Sequence, residues 1–153
     1  MTLEEFAKLI PKSGPLLGLD LGTKTIGLGI SDPARKLALP LKTIARTKLL
    51  ADLAALKKII AERDVMGLVL GLPLNMDGTE GPRAQSTRTF ASNLRKEIAL
   101  PLTFWDERLS TFEADQALQH ADLSRRTREE KIDAAAATVI LQGALDRLLS
   151  LNA

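Results

Sequence analysis

Two apolar runs open the chain, Leu16 to Leu21 and Thr25 to Ser31, joined by Gly22-Thr23-Lys24. They predict a pair of antiparallel strands with a tight turn. Leu37 to Ala45 adds a third strand. From Leu49 to Arg63 the apolar positions Leu49, Leu53, Leu56, Ile59 and Ile60 recur at helical spacing, with charged residues between them. Val65 to Leu72 is a continuous apolar run ending at Gly71-Leu72-Pro73, the pattern of a strand buried on both faces. Its neighbours must then be strands, with helices above and below. A glycine-bearing loop, Asn75 to Pro82, leads into a predicted helix from Arg83 to Ile98, and Pro101 to Trp105 makes a fifth strand. Ser110 with Glu113, and Thr127 with Glu130, have the spacing of capping boxes. Helices are therefore expected to begin near Thr111 and near Arg128, the last running to Ser150. The order is that of an α/β domain.

Within the first strand the two-residue period sends Leu17, Leu19 and Leu21 to one face and Gly18, Asp20 and Gly22 to the other. Asp20 is thus flanked on its own face by residues without side chains. An uncompensated carboxylate on a central strand costs roughly several kcal/mol to desolvate, so a cation or a set of donors is expected beside it.

At 153 residues the chain has the size of one domain, 1–153, large enough to bury a core without staples. It has no cysteine, which excludes disulfides and thiolate metal sites and suits a reducing cytoplasm. No apolar run resembles a signal segment or a membrane span, so no membrane partner is expected. The net charge of +2 permits a polyanionic partner without requiring one. Aromatic residues make up only 3%, with a single tryptophan, Trp105, and no tyrosine, so a base-stacking platform is not expected and contact with nucleic acid would rest on phosphates.

Further acids stand at informative places. Asp106 and Glu107 close the fifth strand, at the edge where α/β domains place ligand-binding groups. Beside Arg108 they also read as a solvated turn with a local ion pair. Asp133 lies early in the last helix, with Ala136 and Ala137 at helical spacing on its own face, so small neighbours let this helix approach the sheet. An acid on a core strand, one at a strand end and one on a packing helix can meet at one point. Three such acids repel unless a divalent cation lies between them, and oxygen-only ligation favours Mg2+ or Mn2+ over zinc. The lone His120 is consistent with that choice.

The segments Gly18 to Asp32 (GLDLGTKTIGLGISD), Gly71 to Gly81 (GLPLNMDGTEG), Asp106 to Thr111 (DERLST), Ser124 to Arg128 (SRRTR) and Ile132 to Ala136 (IDAAA) together resemble the YqgF family. This is the RuvX, or Holliday-junction-resolvase-like, group of the RNase H-like superfamily. The resemblance spans nearly the whole chain. It implies an RNase H-like three-layer fold, a five-stranded mixed sheet with helices on both faces. It implies metal-dependent hydrolysis of phosphodiester bonds in 5′-end maturation of precursor 16S rRNA, with Asp20, Glu107 and Asp133 as the metal-binding catalytic acids. Lys24 and the backbone around Gly22 and Thr23 would approach substrate phosphate, as would amides of the Gly78 to Gly81 loop.

The chain also departs from the pattern. Thr25 stands where the family commonly has arginine. The fourth strand ends in Pro73-Leu74-Asn75, where other members of the superfamily often carry their second acid, so the role of Glu107 rests on the closer family, with Asp106 as the competitor. Ala136 stands where several resolvases have a fourth acid, which favours one fully held metal over two.

Arg108, Arg125, Arg126 and Arg128 complete the expected substrate contacts, Arg108 with the further expectation that it pairs with and orients an adjacent acid. Arg83, Arg88 and Lys131 are weaker candidates, since most surface cations only solvate a face. Precursor rRNA, within a ribosomal particle or free, is the favoured partner, and branched DNA is the alternative. Resolving a junction would need a homodimer, whereas a single cut needs only a monomer. Two other classes compete: a non-catalytic RNA- or ribosome-binding factor on the same fold, and an actin-like nucleotide-binding protein, which would need a second such domain.

Overall fold

The computed structural model describes residues 1–109 and 125–151; the side chains of 109 and 125–133 lie outside the description. Its elements are α1 (Leu3–Leu9), β1 (Leu16–Leu21), β2 (Thr25–Ser31), β3 (Ala38–Ala45), α2 (Leu49–Arg63), β4 (Gly67–Leu72), α3 (Pro82–Glu97), β5 (Leu102–Asp106), a 3-10 turn (Glu107–Leu109) and α4 (Arg125–Leu151). The expected helix near Thr111 lies outside the described residues.

The five strands form one sheet in the order β3-β2-β1-β4-β5. β1 pairs antiparallel with β2 and parallel with β4. β4 continues parallel to β5, and β2 antiparallel to β3. The expected mixed sheet is therefore present, and β4, buried along its whole length, lies between two strands. The register between β2 and β3 shifts between Leu28, paired with Lys42, and Gly29, paired with Pro40, an irregularity and a proline that an edge strand tolerates.

Each face of the sheet carries its own core. Leu17, Leu19 and Leu21 pack with Leu53 and Leu56 of α2 and with Phe90 and Leu94 of α3. Leu16 and Val69 pack on the other face with Phe6 of α1 and with Ile140, Leu141, Ala144 and Leu145 of α4. Helices thus cover both faces, as the pattern of β1 and β4 predicts.

α4 lies unusually close to the strands. A Cβ added at Gly18 would fall 2.8 Å from the Ala137 carbonyl oxygen and 2.8 Å from the Leu141 Cβ. One added at Gly29, the register partner of Gly18, would fall 3.0 Å from Thr138 Cα. The glycines of β1 and β2 thus form the groove in which α4 beds down.

One helix was not foreseen, and two expectations need correction. α1 has no counterpart in the periodicity, because seven residues bury one aromatic side chain, Phe6. Thr2 caps it by accepting the Glu5 amide at 3.2 Å. α4 begins at Arg125, so Thr127 lies within its first turn rather than ahead of it. Finally, Ala134–Leu151 is long and apolar enough by composition to span a membrane, with mean hydropathy 1.3, contrary to the reading of the bare sequence. It is the helix packed against the sheet: Ala137, Ile140, Leu141, Ala144 and Leu145 are each 0% exposed.

Candidate active site at the carboxyl edge of the sheet

β1, β4 and β5 run parallel and end at one edge, and the chain turns outward there three times. Asp20 is the penultimate residue of β1 and is half-buried. It faces the α4 side, between Gly18 on its own strand and Gly22 in the turn that follows, and opposite Gly27 on β2. Two strands away, β5 ends at Asp106, and the 3-10 turn that follows sends adjacent acids in different directions.

Asp106 turns toward Arg108. The Arg108 Nη2 donates to Asp106 Oδ2 at 2.6 Å and the Arg108 Nε to the same oxygen at 2.9 Å, while the Arg108 amide donates to Oδ1 at 3.0 Å. These bonds favour the charged form and hold the Asp106 carboxyl below the usual carboxylate range. The reading of this turn as a local ion pair is thus correct for Asp106.

Glu107 turns inward, over Gly71 of β4 and against Asp20. Its pKa is pushed up to about 9, first by burial, then by the hydrogen bond to Asp20 and by the charges of Asp20 and Asp106; the charge of Arg83 opposes the rise. A proton between two carboxyl groups is what like charges in contact require when no cation separates them. Glu107, not Asp106, is therefore the acid that meets Asp20.

Asp133 lies in α4 one turn before Ala137, whose backbone beds on Gly18. α4 runs against β1: Leu145 and Leu148 cluster with Leu16 at the start of the strand, and Ala137 reaches Gly18 further along. The helical position of Asp133 is hence toward the Asp20 end. Its side chain, and those of Arg125, Arg126 and Arg128, lie outside the described residues.

Around this pair the expected phosphate contacts divide. The Gly22 amide donates within the turn to the Thr25 carbonyl at 2.9 Å, and the Gly22 carbonyl accepts from Arg46 at 2.6 Å. Gly22 therefore shapes the turn, and its amide is not offered outward. Thr23 and Lys24 are exposed at the tip. The loop before α3 likewise uses its own amides: Gly78 donates to the Asn75 carbonyl, and Thr79 to Asp77 Oδ1. Arg108 Nη1 donates to the Met76 carbonyl at 3.2 Å and so ties that loop to Asp106. With Nε, Nη1 and Nη2 all engaged in this way, Arg108 is a strut, in line with the expectation that it orients an adjacent acid. The sequence reading missed Gly71 and Arg46. Gly71, a glycine inside a run of Leu and Val, was the visible signal for the first; nothing in the pattern marked the second.

Among the described residues the donors that meet here are carboxylate oxygens. They fit a hard divalent cation, which would take the place of the shared proton. Among the described residues no cluster of three or more His, Cys, Asp or Glu is present.

Residues 14–147 match the family described as RuvX, Holliday junction resolvase. A protein of Rhodobacter capsulatus named "Putative pre-16S rRNA nuclease" is 60% identical over 150 residues, covering 98% of this chain and 94% of that one. A protein of Paracoccus denitrificans with the same name is 60% identical, covering 95% of this chain and 92% of the other. Among solved structures, the Thermus thermophilus RuvC in complex with a Holliday junction substrate has a TM-score of 0.54 at 14% identity, covering 90% of this chain and 96% of that one. The yeast mitochondrial Holliday junction resolvase has a TM-score of 0.55 at 12% identity, covering 98% of this chain and 85% of the other. At such identities these two speak for the fold, which is RNase H-like. The extent of the family match, together with near-full-length relatives at about 60% identity, places the chain in the RuvX family.

Proposed function

We propose that this protein is a divalent-metal-dependent nuclease that hydrolyses a phosphodiester bond of precursor 16S rRNA during maturation of its 5′ end, in the cytoplasm. Asp20, Glu107 and Asp133 hold the ion, Mg2+ or Mn2+. The observation that carries the reading is the contact between the carboxyl groups of Asp20 and Glu107 at the carboxyl edge of the sheet. Neither acid serves the core there, and their mutual repulsion is a cost that a cation would remove.

When bound, such an ion supplies Lewis acidity to the attacking water and to the leaving oxygen. Asp20 presents its oxygens from the end of β1, and Glu107 from the 3-10 turn that follows β5. Glu107 releases its proton on loading. Lys24 and Thr23, exposed at the hairpin tip, meet the substrate backbone, and Arg125, Arg126 and Arg128 of α4 are further contacts in this reading. Arg108 holds Asp106 and the loop before α3 in place rather than touching phosphate.

Support for the RNA substrate comes from the relatives named for precursor 16S rRNA. The test is a direct comparison of substrates in Mg2+ and in Mn2+. The account expects cleavage of precursor 16S rRNA near its 5′ end. Cutting of four-way DNA junctions alone would make the protein a resolvase, and binding of RNA without cleavage of either substrate would make it a non-catalytic factor.

A further inference from the structure

On the α3 side of β1, away from Asp20, the same sheet edge carries a narrow cleft of about 40 Å³ lined by Gly22, Thr23, Arg46, Arg83, Ser86 and Thr87. That is room for about three waters, enough for the oxygens of one phosphate and too little for a base. No acidic residue among the described ones lines it.

Its two cations differ in how they are held. Arg46 is fixed from three directions: Nη1 donates to the Gly22 carbonyl at 2.6 Å, its amide donates to the Lys24 carbonyl at 2.8 Å, and its guanidinium lies 5.8 Å from the centre of the Phe90 ring. An arginine packed in this way loses little further entropy when it binds an anion. Arg83 is exposed and makes no ion pair with a described residue, and its charge is felt at Glu107. Ser86, one turn along α3 from Arg83, adds an exposed hydroxyl. Two cations with no ion-pair partner among the described residues, both lining a phosphate-sized cleft, form a site for an oxyanion.

Its place on the molecule tells which oxyanion. The cleft begins at the residues that follow Asp20 in the chain, but on the opposite side of the sheet. We propose that it seats a backbone phosphate adjacent to the scissile one, so that the substrate strand crosses the β1–β2 turn from the acid pair toward α3. This rests on the nuclease reading above. It assigns Arg46 and Arg83 to substrate binding, with no part in bond cleavage, and it makes the contact indifferent to base identity.

The test is the salt dependence of binding of a fluorescein-labelled single-stranded RNA 12-mer in EDTA, where no cleavage occurs, for wild type, Arg83→Gln, Arg46→Gln and Ser86→Ala. Each lost arginine contact makes the slope of log affinity against log salt shallower by about 0.7. Affinity falls several-fold for every RNA sequence alike, and Ser86→Ala changes affinity without changing the slope. In cleavage assays Arg83→Gln raises KM by a larger factor than it lowers kcat. Arg83 is exposed, so its variant keeps the wild-type unfolding midpoint even if Arg46→Gln does not. Wild-type slopes in both arginine variants, with wild-type RNA binding intact, would overturn the cleft and leave the nuclease reading standing. Failure of wild type to bind RNA would overturn both.

Discussion

Glu107 occupies the space that Gly71 leaves empty. A Cβ at residue 71 would fall 2.8 Å from the Glu107 Cγ and 2.5 Å from the Ile140 Cδ1, so the reach of Glu107 toward Asp20 depends on a missing side chain in the neighbouring strand. Gly71→Ala should therefore act on the site and on the α4 packing together. We expect a loss of stability of about 1–3 kcal/mol from overpacking, and a fall in cleavage larger than the unfolded fraction explains. Urea unfolding and cleavage rates on the same samples check both.

The proton on Glu107 gives a pH signature. Its ordinary value is 4.5 and its value in the folded chain is about 9, so between these the folded state holds a proton that the unfolded state has released. The contribution of this group to stability is complete below pH 4.5 and is lost as pH rises through 9. Glu107→Gln removes the dependence. In EDTA at pH 8 it should raise Tm by about 2–4 °C, equivalent to about 1 kcal/mol. A variant less stable than wild type there would contradict the buried carboxyl pair.

Loading the site should reverse that order. Mn2+ at about a hundred times its dissociation constant would stabilise wild type by about 2.7 kcal/mol. Asp20→Asn should show little of this shift, and Asp106→Asn should keep it, because Asp106 is committed to Arg108. Thermal shift and calorimetry with Mn2+ alone report the result.

Arg108→Ala tests the strut. The Arg108–Asp106 pair is about one-third exposed on both sides, so its loss should leave the unfolding midpoint close to that of wild type. Releasing Asp106 and the Met76 carbonyl should nevertheless loosen the turn that aims Glu107. We expect a lower kcat with KM little changed, the opposite of the pattern for Arg83→Gln.

The pattern of this fold is legible wherever burial follows a simple period. β1 and β2 were readable because they alternate, β4 because it is apolar throughout, and α2 because its leucines and isoleucines recur at helical spacing. α1 was not, since one phenylalanine makes no period. The acids were partly legible. Asp20 stood out as a charge among leucines and glycines, but the choice between Asp106 and Glu107 turns on the geometry of the 3-10 turn, which adjacency in sequence does not reveal. The contribution of Arg46 is less visible still, because it depends on a carbonyl 24 residues away.

The central claim is that Asp20 belongs to the site of phosphodiester cleavage. Its most direct test is the rate at which the purified protein and Asp20→Asn cleave precursor 16S rRNA in Mg2+, with both proteins shown to be folded. The account predicts that wild type cuts near the 5′ end and that the variant is slower by on the order of 100-fold or more, about 3 kcal/mol of barrier. Equal cleavage by the two proteins would contradict it.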